Sequence, residues 1–295
     1  MPDNEAALTF EPHRRHLTGL AYRMLGSLAD AEDIVQDAYL RWCGVARDKL
    51  ADPRAYLAST VARLCLDHFK SARVRREHYV GLWLPEPIVD TSIVAPDISS
   101  ELADDVSVAL MMTLERLSPL ERAAFILHDV FNMDFEAIAG VLDRNVAACR
   151  QLAARARVHV HDSRPRFKAS AEQASKLSRA FYQAVMSGDI AALGRTLAKD
   201  AVLYADGGGK RATALSPIRG RDNIIRFFED IAHDPDRIPI GSMRPILLNG
   251  LPGFVIVDGD GAVETIALEI DHDGIAAMYA VRNPEKLTHL VQSIP

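Results

Sequence analysis

The spacing of apolar residues changes character near residue 165, and no single fold absorbs both patterns. Up to about His161 apolar residues recur three and four apart, the helical period; beyond Arg164-Pro165-Arg166 comes a mixture. One long helical run (Ala171 to Met186) and a shorter one precede a strand-like run, Ala201 to Ala205. A Gly-rich turn and a helix from Asp222 to His233 follow. Four strand-like runs close the chain (Pro245 to Leu248, Phe254 to Val257, Ala262 to Ile270, Gly274 to Val281), separated by Asn-Gly, Asp-Gly-Asp-Gly and His-Asp-Gly turns. A helix-period pattern does not settle as a strand, nor the reverse. The chain is therefore expected to hold helical domains followed by an α+β part with a curled antiparallel sheet. Its 295 residues are enough for two or three cores.

Within the helical part, residues 8–76 are punctuated at Gly26-Ser27 and at Asp52-Pro53. Both are helix starts: Ser27 with Asp30 resembles a capping box, and Asp52 places a capping carboxylate before a proline suited to the first turn. After Ser27, Ile34, Val35, Ala38 and Trp42 form a stripe for burial, while Glu32, Asp33, Gln36 and Asp37 collect on the opposite side. After Pro53, Leu57, Val61, Leu64 and Phe69 share a face, and the helix ends in Arg73-Val74-Arg75-Arg76. From Gly81 to about Ser107 the pattern lapses around Trp83-Leu84-Pro85-Glu86-Pro87 and Pro96, which marks a linker. It returns from Val108 to His161, broken at Ser118-Pro119, Asn132-Met133-Asp134 and Asp143-Arg144-Asn145, so four short helices are implied. The last two read as a helix-turn-helix. Phe135, Ile138, Ala139 and Leu142 face inward on one helix, and Val146, Cys149 and Ala153 on the next. Ala147, Ala148, Arg150, Gln151 and Arg155 are left outward, with Arg144 and Asn145 in the turn. That turn usually carries Gly; Asp143 tolerates the left-handed conformation better than most residues.

A net charge of −6 argues against a nucleic-acid partner, but the average hides two basic stretches. Residues 63–76 hold five bases against one acid, and residues 144–168 seven against one. An Arg and a Gln in the first turns of a helix are suited to base edges in the major groove. The three cysteines are far apart and form no metal or disulfide pattern, and no cofactor is called for. The polar start and the lack of a long apolar run argue for a cytoplasmic chain without membrane contact.

The run Asp30-Ala31-Glu32-Asp33-Ile34-Val35-Gln36-Asp37-Ala38-Tyr39-Leu40 resembles, in order and spacing, the core-polymerase-binding helix of extracytoplasmic-function sigma factors. Leu117-Ser118-Pro119-Leu120-Glu121-Arg122 with the helix-turn-helix behind it resembles sigma region 4. The resemblance implies region 2 over 8–80, a linker over 81–107 and region 4 over 108–166. Asp30, Glu32, Asp33, Gln36 and Asp37 would meet RNA polymerase core. Lys70, Arg73, Arg75 and Arg76 would hold promoter phosphates near the minus-ten element, with the loop from Cys43 to Leu50 a candidate base pocket. Arg144, Asn145, Ala147, Ala148, Arg150, Gln151 and Arg155 would face the minus-thirty-five element. Residues 169–295 resemble the SnoaL-like (NTF2-like) cone-shaped α+β fold. Three strings match one sigma subgroup that carries such an extension: Trp83-Leu84-Pro85-Glu86-Pro87, Asp206-Gly207-Gly208-Gly209-Lys210, and Asn283-Pro284-Glu285-Lys286-Leu287. In that subgroup the extension is a built-in regulator, which implies an intramolecular contact with the linker or the helical pair. Two alternatives stand beside this reading. One is a ligand-responsive factor that binds duplex DNA without polymerase. The other is a SnoaL-like enzyme with acid and base drawn from Asp206, His233, Asp258 and His272.

Overall fold

The structure, a computed structural model, describes residues 2–46, 50, 52–76, 79–89, 106–163, 169–236 and 238–291. It divides into two compact units: Met1–His78 with Thr91–Arg164, and Tyr79–Asp90 with Pro165–Pro295. The first part of the linker thus belongs to the C-terminal unit, where the sequence pattern shows only a connector.

Among its described residues, the first unit is helical. Helices α1 (Pro2–Leu25), α2 (Leu28–Cys43) and α3 (Pro53–Arg76) precede the linker. After it come α4 (Val108–Glu115), α5 (Pro119–Phe125), α6 (Phe135–Leu142) and α7 (Val146–Ser163). The boundaries have local causes. Ser27 Oγ accepts the Asp30 N–H at 3.1 Å and an Asp52 carboxylate oxygen accepts the Ala55 N–H at 3.0 Å. Ser118 and Glu121 cap each other reciprocally at the head of α5. Asp143 takes the left-handed conformation, φ 51°, and closes α6; Asn145 then accepts the Ala148 N–H at 2.8 Å and opens α7. Helix α5 passes into a π-helical turn, Ile126–Val130. Four helical stretches therefore follow the linker in this unit, as the breaks in the sequence imply.

The two halves of this unit pack on one another. Arg122, 2% exposed, donates to the Met24 carbonyl and to Glu115, each at 2.6 Å, with its guanidinium 5.2 Å from the Phe69 ring. Arg63, midway along α3, donates to the Gly140 carbonyl of α6 at 2.8 Å. His16 meets the Phe131 ring edge-on at 4.4 Å and sits 3.3 Å from Arg54. Burial, then the positive charge of Arg54, holds its pKa down at about 3, so the ring is neutral.

In the second unit, α8 (Ala171–Ser187), α9 (Ile190–Thr196) and α10 (Arg221–His233) lie on one face of a six-stranded sheet. The strands are β1 (Leu197–Asp206), β2 (Ile218–Arg219), β3 (Ile240–Leu248), β4 (Leu251–Asp258), β5 (Val263–Ile270) and β6 (Ile275–Val281). Their order is β2-β1-β6-β5-β4-β3. Phe181, Leu193 and Ile224 from the helices meet Phe254, Leu268 and Met278 from the sheet to form the core. A 3-10 turn, Pro284–Lys286, and a short α11 (Thr288–Val291) finish the described chain. One expectation is corrected. The sheet is mixed, because β1 and β6 run parallel, with Asp206 beside Val281. Apolar alternation fixes which face a strand buries and carries no information about its direction.

Candidate functional site: two helical faces and a linker clasp

On α2 the stripe Ile34, Val35, Ala38 and Trp42 is buried, and Glu32, Asp33, Gln36 and Asp37 are exposed together. Asp30 stands apart from that group. It is half-buried, and its carboxylate lies 3.7 Å from His68 of α3. On α3, Lys70 is exposed and pairs with Asp67 at 2.7 Å. Arg73, Arg75 and Arg76 fall on the last turns of α3, and their side chains lie outside the described residues, as does part of the Cys43 to Leu50 loop.

The outward residues of the helix-turn-helix divide in two. Arg144, Ala147 and Gln151 are exposed and Ala148 is half-buried. The others serve the fold as well: Asn145 caps α7, and Arg155 bonds Glu121 at 2.9 Å. Arg150 lies 5.6 Å from the Phe135 ring centre and 3.6 Å from Glu136, a geometry that holds an exposed guanidinium beside the first turns of α7.

The C-terminal unit brings the three short strings together. Because β1 and β6 are parallel neighbours, both strands end at the same edge, so the segment after Asp206 meets the segment after Val281. Asp206, 0% exposed, accepts four hydrogen bonds. Oδ1 receives the Tyr79 hydroxyl at 2.5 Å and the Gly208 N–H at 3.0 Å. Oδ2 receives the Leu84 N–H at 2.8 Å and the Lys286 ammonium at 2.7 Å. Lys286 also donates to the Leu84 carbonyl at 2.5 Å, and its ammonium lies 4.2 Å from the Trp83 ring and 5.0 Å from that of Tyr79. A buried charge needs such pairing to be tolerated. Burial, then the bond to Asp206, raises the Tyr79 pKa and keeps its hydroxyl a donor. Asn283 donates to the same hydroxyl at 3.0 Å.

The linker continues away from this centre. His289 Nε2 lies 2.8 Å from the Pro87 carbonyl, Ile88 donates to the Asn249 side chain at 2.9 Å, and the Asn249 N–H returns to the Ile88 carbonyl at 2.7 Å. The glycines have a steric cause here. A Cβ on Gly208, at φ +59°, would meet Asn283 at 2.3 Å, and one on Gly209, at φ +71°, would come within 3.0 Å of Val80. Lys210 pairs with Glu285, joining the two turns at their exposed rim. Tyr79, Asn249 and His289 belong to this clasp without having been singled out in the sequence. Asn249-Gly250 is legible as a hairpin turn, and its hold on Ile88 is not.

The residues considered for catalysis are engaged elsewhere. Asp206 is spent in the clasp, and Asp258 is held by Arg211 at 2.8 Å and lies 3.5 Å from Arg282. His233 Nδ1 lies 2.7 Å from the Glu229 carbonyl within its own helix, and His272 pairs with Asp273 on an exposed turn. Asp271, His272 and Asp273 are the described residues that cluster as ligand types, and Asp271 there accepts the Asp273 N–H as an ordinary turn does.

Comparison with known proteins identifies the family. Residues 9–75 match the sigma-70 region 2 family and residues 107–160 match sigma-70 region 4. The ECF RNA polymerase sigma factor SigJ of Mycobacterium tuberculosis is 38% identical over 292 residues, 95% of this chain and 92% of its own. The chain belongs to the ECF RNA polymerase sigma factors. The crystal structure of M. tuberculosis SigJ superposes on this sigma factor with a TM-score of 0.75 at 34% identity, covering 96% of this chain and 98% of that one. A probable ECF sigma factor of the same species, SigI, is 38% identical over 180 residues, 60% of this chain and 62% of its own. The sigma factor thus directs promoter-specific initiation with RNA polymerase core and promoter DNA as partners, a role that is not catalytic, and its α+β C-terminal domain follows the two sigma regions. No described helix is long and apolar enough to cross a membrane.

Proposed function

We propose that this sigma factor rests with its two promoter-reading regions folded against each other, and that its C-terminal domain controls their parting by gripping the linker that joins them. Minus-ten and minus-thirty-five elements lie about 25 base pairs apart, roughly 85 Å of duplex at 3.4 Å per step. Helix α3 has 24 residues, roughly 36 Å, and Arg63 in its middle touches Gly140 of the helix-turn-helix. Two readers in such contact do not reach elements so far apart. The pair must open, and the linker is the covalent join across the opening.

In the open form Glu32, Asp33, Gln36 and Asp37, with Asp30 at their edge, face polymerase core. Lys70, Arg73, Arg75 and Arg76 serve the minus-ten side. Arg144, Ala147, Ala148, Arg150 and Gln151 face the minus-thirty-five side, with Asn145 and Arg155 shaping the motif. The protein works in the cytoplasm, where its polymerase is, and catalyses no reaction of its own. The observation that carries the regulatory reading is the buried Asp206–Lys286 pair closed on Leu84. Run-off transcription with purified core polymerase tests it: full-length Lys286→Ala should raise promoter output several-fold over wild type. Equal output from the two proteins, at equal polymerase binding, would count against the proposal.

A further inference from the structure

The clasp reads the linker through its main chain as well as its side chains. Five backbone groups are held: the N–H and carbonyl of Leu84, the carbonyl of Pro87, and the N–H and carbonyl of Ile88. Side chains contribute along the same stretch: Tyr79 donates to Asp206, and Glu86 is buried at 7% exposure. Leu84 and Ile88 are buried at 0% and 1% exposure, Pro85 and Pro87 are buried, and the Trp83 ring lies against the Lys286 ammonium. This is how domains recognise extended peptides: main-chain bonds supply adhesion, a few pockets supply selection, and prolines lower the entropy lost on binding. None of these contacts requires the peptide to be covalently joined to the domain.

We infer that the C-terminal domain is a receptor for extended, proline-flanked peptides of the pattern aromatic-Leu-Pro-Glu-Pro-Ile, that the linker is its resident ligand, and that a partner protein presenting such a segment displaces the linker. The ligand class follows from the grip itself. An aromatic residue lies on the ammonium, leucine follows at the carboxylate, two prolines hold the chain extended, and an aliphatic residue pairs with Asn249. The tether gives the resident an effective concentration on the order of millimolar, so a competitor must exceed that or arrive on a partner with further contacts. This inference rests on the geometry of the clasp and stands whether or not linker release alters transcription.

The test uses a fluorescein-labelled peptide with the sequence of Tyr79 to Val89 and full-length protein, read by anisotropy. Leu84→Asp expels the resident linker by placing a carboxylate against Asp206, and this variant should bind the peptide at least about ten-fold more tightly than wild type does. Adding Lys286→Met to that background should weaken binding by about ten-fold or more. Failure of the Leu84→Asp protein to bind the peptide at about 1 mM, while its circular dichroism matches wild type, overturns the inference. So does indifference to Lys286→Met. Should Leu84→Asp not fold, wild type decides alone. Millimolar peptide must then accelerate amide exchange in residues 79–89, a scrambled peptide must not, and an unchanged exchange rate overturns the inference. A positive binding result with unaltered run-off output would separate this inference from the regulatory proposal.

Discussion

Replacing Asp206 with Asn keeps the shape of the side chain and removes its charge. The carboxylate offers two acceptor oxygens to four donors; an amide offers one. Whichever way the amide turns, its NH2 group faces two N–H or O–H donors, and the Lys286 ammonium loses its anionic partner in either orientation. Two hydrogen bonds to a charged group at about 1.5–3 kcal/mol each, and the range of about 3–5 kcal/mol for removing one member of a buried ion pair, agree on a loss of about 3–5 kcal/mol. That weakens linker docking by a factor of roughly 10² to nearly 10⁴. Hydrogen exchange reports it directly, since the amides of Leu84 and Ile88 are both donors in the docked state. In Asp206→Asn the protection of residues 79–89 should fall by that factor or vanish, while amides of β4 and β5 exchange as in wild type. Protection of the linker within ten-fold of wild type would refute the reasoning. Equal loss across the sheet would refute it too, because the pair would then hold the domain together rather than the linker to it.

Three further outcomes are expected. Arg122→Ala strips a buried cation from Glu115, the Met24 carbonyl and the Phe69 ring, and should lower the unfolding free energy of the helical unit by about 3–5 kcal/mol in urea titrations; a loss under about 1 kcal/mol would contradict that account. The folded-state pKa of His16 lies at about 3, below the ordinary 6.5, so the folded protein binds fewer protons there than the unfolded chain. The stability this gives is complete above pH 6.5 and is lost as pH falls toward 3. Urea midpoints should therefore drop more steeply below pH 6.5 in wild type than in His16→Gln, and parallel curves would dismiss the effect. Arg150→Glu should weaken promoter binding by polymerase carrying this sigma factor by about 1–3 kcal/mol, with the loss concentrated at the minus-thirty-five element; undiminished affinity there would remove Arg150 from the interface.

The helical unit was the more legible half, because its signals are local. Ser27, Asp52, Ser118 and Asp134 each cap a helix within three residues of themselves, and burial of Ile34, Val35, Ala38 and Trp42 follows from spacing alone. Local rules also leave contacts unseen. They group Glu32, Asp33, Gln36 and Asp37, and do not show that Asp30, which the family resemblance adds, lies half-buried beside His68 of the next helix. They offered Asn145 and Arg155 to DNA without knowing that one caps α7 and the other meets Glu121. In the C-terminal unit the strands and turns were visible, but β2 is two residues long and leaves no periodicity to detect, and β1 began at Leu197, ahead of the apolar run. Singly, the three strings read as a linker and two turns, and only their joint occurrence points to a subgroup. That they meet depends on the β1–β6 pairing, a contact between segments about 75 residues apart.

That pairing also sets a schedule for a chain made from its N-terminus. Leu84 leaves the ribosome 202 residues ahead of Lys286, roughly 10–40 s at ordinary rates of synthesis, and the acceptor for the linker does not exist until the last strand has been laid beside the first. Regions 2 and 4 are thus complete while nothing holds the segment between them. A newborn molecule passes through an unrestrained interval whose length is set by translation speed, and cells that slow or pause synthesis between the codons for Asp206 and Lys286 would lengthen it.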